Sequence, residues 1–219
     1  MFRLKEMPRV RALDYIHSPP VAFKSAQPAQ TDMLAIRAAI FRIIDGKSHL
    51  LLLQRSETDS LPGCWELPGG GVEDDDESIK SALYREIKEE TGMTAAWIVQ
   101  EIGEGERWEK TKDGKKYHFM CVTFIVEAEE VELLERGLTK EVKDEGTRSD
   151  PTNGGGTSSD GLVKLSDAEH QDFVWITEEE LRNGKTDRVG ELKFTRNMGK
   201  VMLEAFELQQ VIVMAKSSE

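Results

Sequence analysis

Two apolar blocks, MLAIRAAIFRII and HLLLLQR, flank Asp45-Gly46 early in the chain. Short apolar runs joined by Asp-Gly predict a β-hairpin. CWELPGGG reads as a short strand stopped by proline and glycines, and a helix is predicted over residues 77–91, with Asp76 as N-cap and Gly92 as terminator. AAWIVQEIGEGERWEK and KKYHFMCVTFIVEAE are β-rich, with a turn at Asp113-Gly114. DFVWIT is a further strand, and Thr177 with Glu180 has the capping-box spacing that opens a short helix. Phe194, Met198, Val201, Met202, Ala205, Phe206 and Leu208 recur at helical spacing and predict a C-terminal amphipathic helix. Strands and helices in this mixed order imply an α/β sandwich around a mixed β-sheet.

Two stretches break the pattern. Residues 1–32 are polar and proline-punctuated, which predicts an extended N-terminal arm or loose tail outside a domain spanning 33–215. Residues 127–165 turn acidic and then lose their apolar residues in DEGTRSDPTNGGGTSSDG. That composition buries too little to offset the entropy of ordering, so a flexible insertion is expected there.

Composition narrows the class. A chain of 219 residues that is 38% hydrophobic and 32% charged suits one packed domain with extensions. No apolar run approaches the roughly 18–20 residues needed to span a membrane, and the N-terminus lacks the apolar block of a secretory signal. The basic residues of the first 20 positions are diluted by Glu6 and Asp14, so a cytoplasmic location is expected, with organelle import left open. The cysteines Cys64 and Cys121 form neither a disulfide framework nor a metal knuckle, which favours a reducing compartment. A net charge of −12 argues against a broad nucleic-acid-binding face. It leaves anionic small molecules open, because divalent cations bridge carboxylates to phosphates. A homodimer reached through the N-terminal arm also stays open.

The candidate chemistry lies in GVEDDDESIKSALYREIKEETGM, residues 71–93. At about 100° per residue, Ile79, Ala82, Leu83 and Ile87 share one stripe of the helix, and Glu86, Glu89 and Glu90 continue it. A merely solvated acidic face would lie opposite the apolar stripe. Carboxylates crowded along the edge of a core repel one another and lose hydration, so a neutralising partner is expected. Oxygen donors of this kind suit Mg²⁺ or Mn²⁺. Gly70 and Gly71 allow the preceding loop a tight bend, and Arg85 stands about two turns beyond Glu77, where the two could pair.

These residues resemble the Nudix box at every specified position: Gly71, Glu77, Arg85, Glu86, Ile87, Glu89, Glu90, Gly92 and Met93, with ELPGG as a similar lead-in. The resemblance implies a Nudix-type α/β/α sandwich in which 71–93 forms a loop–helix–loop. It implies Mg²⁺-dependent hydrolysis of a diphosphate (pyrophosphate) bond in a nucleoside diphosphate linked to another moiety, by metal-activated water attacking phosphorus. Carried over by position, Glu86, Glu89 and Glu90 would bind metal, while Glu77 and Arg85 would form an orienting ion pair. The general base would be Glu89 or Glu90, or a residue from a distant loop, where LSDAEHQDF supplies Glu169, His170 and Asp172 and Glu169 is the choice.

The leaving group is not readable. The neighbourhood GEGERWEKTKDG lacks the proline seen in ADP-ribose hydrolases of the family, and Tyr117 lies too far along for the diadenosine-polyphosphate type. Trp65 is a candidate base-stacking residue, although an aromatic in a strand usually packs in a core, as is expected of Trp108 and Trp175. His118 reads as structural, and Cys64 and Cys121 as inert. Two rivals share the fold: a non-catalytic nucleotide-binding sensor and an isoprenoid diphosphate isomerase. The complete set of box carboxylates favours hydrolysis over both.

Overall fold

A computed structural model describes residues 13–138, 161–166 and 169–216. The Asp45-Gly46 hairpin forms as expected, joining β1 (Met33–Ile44) to β2 (Lys47–Arg55) through two residues with positive φ. The second hairpin joins the long strands β4 (Ala95–Lys112) and β5 (Lys115–Ala128) across Asp113-Gly114. β5 lies parallel to β1, Met33 opposite Phe119 through Ile40 opposite Val126. With β3 (Trp65–Glu66) the sheet order is β3-β2-β1-β5-β4, and β6 (His170–Ile176) adds antiparallel to β2. The mixed sheet is therefore present, with one parallel pair at its centre.

β1 is apolar without interruption because both of its faces are covered. Leu34, Ile36, Ala38 and Ile40 face the layer built on α2 (Ile79–Thr91). Ala39 and Phe41 face the layer built on α5 (Met198–Lys216), where Met198, Val201, Met202, Ala205 and Phe206 are buried. The C-terminal stripe read from the sequence is the face that packs. α4 (Glu178–Asn183) opens with the Thr177–Glu180 capping box, and β7 (Lys185–Thr186) and β8 (Gly190–Glu191) form a small ribbon before α5. No described helix is long and apolar enough to cross a membrane.

Three expectations change. Residues 13–32 are not a loose arm: a short 3-10 turn (Asp14–His17) and α1 (Pro20–Ser25) bury Ile16 and Phe23 in the α2 layer. The Tyr15 ring lies tilted against Phe23, centroids 5.0 Å apart, and its hydroxyl donates to Glu101 Oε2 at 2.6 Å. Residues 127–165 are not uniformly loose either. α3 (Glu129–Glu135) follows β5 directly, and Leu162 and Val163 are buried beside α2; the polar centre of that stretch lies outside the described residues. Finally, α2 starts at Ile79 rather than at 77, with Ser78 in place of Asp76 as N-cap. The Ser78 and Ser81 side chains cap each other's backbone N–H groups, which leaves Asp76 free for another partner.

Candidate functional site

The loop before α2 runs along β1: Ile36 N–H donates to Gly70 O at 3.0 Å and Ala38 N–H to Pro68 O at 2.8 Å. So close an approach leaves no room for a side chain at Gly69, where a Cβ would lie 2.2 Å from Ile36 O and φ is +142°. At Gly70 a Cβ would lie 2.6 Å from Glu86 Oε2. The glycines thus bring bare backbone against the last two turns of α2. Gly69 N–H uses that access to donate to Glu90 Oε2 at 2.6 Å.

The acidic stripe of α2 divides. Glu86 and Glu90 are buried, at 8% and 3% exposure, while the Glu89 side chain is 58% exposed at the rim. Burial raises the Glu86 carboxyl above its ordinary range, opposed by Arg85. Burial pushes Glu90 well above it; the Gly69 N–H opposes this, while the charges of Glu66, Glu86 and Glu169 reinforce it. Arg85 donates to Glu86 Oε1 at 2.8 Å and lies 3.3 Å from Glu89 Oε2.

A second arm of the site comes from β2, which pairs with both β3 and β6. The irregularity at Gln54/Arg55 sets His170 opposite Arg55. Arg55 Nη1 donates to both oxygens of Glu66 at 2.6 and 2.8 Å, and His170 Nε2 lies 3.3 Å from Glu66 Oε1 and 3.9 Å from Glu90 Oε1. His170 is 2% exposed, and its Nδ1 has no hydrogen-bond partner among the described residues. Glu169 is exposed and tied by its backbone, through Ser56 N–H, to the end of β2. Residues 162–166 cross the C-terminal end of α2, with Lys164 N–H donating to Thr91 O, and so carry Glu169 toward the helix. One ligand atom each from Glu90, Glu169 and His170 fall within 4.8 Å of one another.

The corner fits a hard divalent cation: Glu86 and Glu90 are buried carboxylates held above their ordinary pKa, Glu90 has no lysine or arginine partner among the described residues, and Glu169 and His170 each bring a donor atom beside it. The model that describes NUDIX domains matches residues 33–146, which is more than half of the chain. The chain belongs to the NUDIX family. Among curated relatives, "Nudix hydrolase 27, chloroplastic" of Arabidopsis thaliana is 29% identical over 94 residues, 36% of this chain and 41% of that protein. The CTP pyrophosphohydrolase of Escherichia coli strain K12 is 46% identical over 63 residues, 29% of this chain and 44% of that protein. The chain thus spans less than half the length of these relatives. The solved NUDIX domain of Shewanella oneidensis NrtR, complexed with ADP ribose, superposes with TM-score 0.51 at 16% identity, covering 87% of this chain and 98% of that one. That likeness shows the fold alone.

The structure redraws two sequence expectations. Arg85 does not pair with Glu77, which is exposed; it pairs with Asp76, Nη2 to Oδ2 at 3.0 Å, and with Gly71 O at 3.2 Å. Because Ser78 caps the helix, the loop turns Asp76 back toward the guanidinium. Trp65 is 1% exposed inside the α5 layer and cannot stack on a ligand. Asp172 pairs with Arg188 at 2.5 Å and is not part of the Glu90–Glu169–His170 cluster. Sequence reasoning misses Glu66 and Gly69, whose signal is their place in ELPGG, at the end of a short strand and before a second glycine. Gly92 closes α2 with φ +70°, and His118 bonds Asp32 at 2.9 Å as a structural histidine does.

Proposed function

We propose that the protein hydrolyses the diphosphate bond of a nucleoside diphosphate derivative with the help of Mg²⁺ or Mn²⁺. The observation that carries this reading is the convergence of Glu86 and Glu90 from α2 with Glu169 from the segment before β6 onto one glycine-lined corner. The name of the E. coli relative, a CTP pyrophosphohydrolase, supports the reaction class. Glu86, Glu89 and Glu90 would hold the cation, and His170 and Glu169 stand next to them. When bound, the cation supplies neutralisation of diphosphate charge and a more acidic water.

The chain's own groups supply the rest. Gly69 N–H fixes the orientation of Glu90, and Arg85 fixes Glu86 while anchoring the loop through Asp76. Glu169, exposed and without a cationic partner among the described residues, would take a proton from an attacking water. Arg55 holds Glu66, and Glu66 holds His170, so the wall behind Glu90 is fixed in place. The compartment is read as cytoplasmic.

The test is product analysis over nucleoside triphosphates, dinucleotides, nucleotide sugars and coenzyme A, with Mg²⁺ or chelator and with Glu90→Gln alongside. Cation-dependent cleavage lost in the variant supports the reading. Equal cleavage by the variant removes Glu90 from it, and tight nucleotide binding without cleavage moves the weight to a sensor.

A further inference from the structure

The segment before β6 offers a nitrogen to the carboxylate corner. Ser166 O accepts from Glu169 N–H and from His170 N–H, both at 3.2 Å, and Ser56 N–H donates to Glu169 O at 2.9 Å. One pinned turn thus presents both residues. His170 is 2% exposed, with Nε2 3.3 Å from Glu66 Oε1 and 3.9 Å from Glu90 Oε1. Its buried Nδ1 has no partner among the described residues. A neutral imidazole carries one N–H and one bare lone pair. With the proton on Nε2, the lone pair is buried unpaired at Nδ1. With the proton on Nδ1, the lone pair of Nε2 faces two carboxylate oxygens, and a cation at Nε2 gives it the partner it lacks.

The surrounding charges leave two negative ones unmatched. Arg55 Nη1 holds both oxygens of Glu66, at 2.6 and 2.8 Å, and Arg85 Nη1 holds Glu86 Oε1 at 2.8 Å. Glu90 and Glu169 have no lysine or arginine partner among the described residues, and together they match one divalent ion. One ligand atom each from Glu90, Glu169 and His170 lie within 4.8 Å of one another. Bonds of about 2.0–2.2 Å separate two ligands of one ion by at most about 4.4 Å. A small rotation of the exposed Glu169 side chain therefore closes the set.

We infer that Glu90, Glu169 and the His170 imidazole form a mixed nitrogen–oxygen position that takes a first-row transition ion, such as Co²⁺ or Zn²⁺, in preference to Mg²⁺; this rests on the proposed hydrolase reading and deepens it. Imidazole suits Fe²⁺, Ni²⁺, Cu²⁺ and Zn²⁺, whereas Mg²⁺ demands an octahedron of oxygens and gives up its waters reluctantly. A buried nitrogen beside a carboxylate that is 3% exposed supplies neither the oxygens nor the space for water. By occupying both oxygens of Glu66, Arg55 keeps that carboxylate a neighbour of Nε2 and leaves the nitrogen as the donor on that side. Glu86 and the exposed Glu89 offer oxygen alone, so hard-ion chemistry stays on their side of Glu90.

Calorimetric titration of Co²⁺ and of Mg²⁺ into the chelator-dialysed protein and into His170→Gln tests the inference. No nucleotide is present, so binding is read without turnover, and failure of the hydrolase reading shows separately in the Glu90→Gln product assay. Loss of the nitrogen is expected to weaken Co²⁺ binding about tenfold or more, the scale at which even outer partners of a metal ligand act. Mg²⁺ binding should fall about twofold or less. An equal loss for both ions would mean that His170 only holds its neighbours in place, and that result overturns the assignment, as does unchanged Co²⁺ binding. A second measurement needs no substitution at 170. In wild type labelled with ¹⁵N-histidine, of which the chain has four, one equivalent of Zn²⁺ should shift the His170 ring nitrogens in the NMR spectrum, and one equivalent of Mg²⁺ should not. The absence of a Zn²⁺ shift at His170 overturns the assignment whether or not His170→Gln folds.

Discussion

Replacing Glu90 with glutamine isolates the electrostatic content of the carboxylate corner. The amide keeps an oxygen for the 2.6 Å bond from Gly69 N–H and matches the carboxylate in size. What disappears is a charge that is 3% exposed and raised in pKa by burial, then by Glu66, Glu86 and Glu169. A carboxyl whose folded pKa exceeds its unfolded one costs stability as pH rises from the unfolded value, and the cost is complete above the folded value. Metal-free Glu90→Gln is therefore expected to be more stable than wild type at neutral pH, by about 1 kcal/mol. For a chain of this length that corresponds to about 2–4 °C. Thermal unfolding followed by circular dichroism in EDTA should show the gap widening from about pH 5 to about pH 8. Added Mg²⁺ or Mn²⁺ should then reverse the order. Wild type gains about 2.7 kcal/mol at a hundredfold excess over Kd, and the variant gains less. A variant less stable than wild type in EDTA at about pH 8, or one with an equal metal-induced rise, would refute the idea that Glu90 is an unneutralised buried charge awaiting a cation.

Other outcomes follow from the same geometry. Gly69→Ala should lose about 2–5 kcal/mol in urea unfolding, because a Cβ 2.2 Å from Ile36 O meets backbone that cannot yield. Asp76→Ala should lose about 1–2 kcal/mol and Glu77→Ala less than about 0.5, since of these two acids Asp76 is the one that bonds Arg85; equal losses would contradict the pairing. Burial pushes the Cys121 thiol up to about 11, so iodoacetamide at about pH 8 should label half-buried Cys64 first, as read by peptide mass.

Much of the local structure was legible in residue order. Asp45-Gly46 and Asp113-Gly114 supply the positive φ that their turns require, and Thr177 with Glu180 caps α4 as its spacing demands. The α2 stripe likewise follows from 3.6-residue periodicity, and it correctly placed Glu86 and Glu90 inward. Periodicity did not separate them from Glu89. That residue is one step before Glu90 yet emerges at the rim, because the loop at 69–71 covers only part of the helix face.

These elements follow from residue order because each depends on residues a few positions apart, within one turn, helix or strand. Tertiary structure decided the rest. It chose Asp76 over Glu77 as the partner of Arg85, sent Trp65 into the core, and left Trp108 half-buried under Arg196. It also joined Glu66, Glu90, Glu169 and His170, which belong to three separate parts of the chain. That meeting depends on β2 pairing with both β3 and β6, and on the irregularity at Gln54/Arg55 that fixes where His170 falls. Pairing partners and register are set by which faces of the whole sheet must be buried, a property no local window of sequence contains.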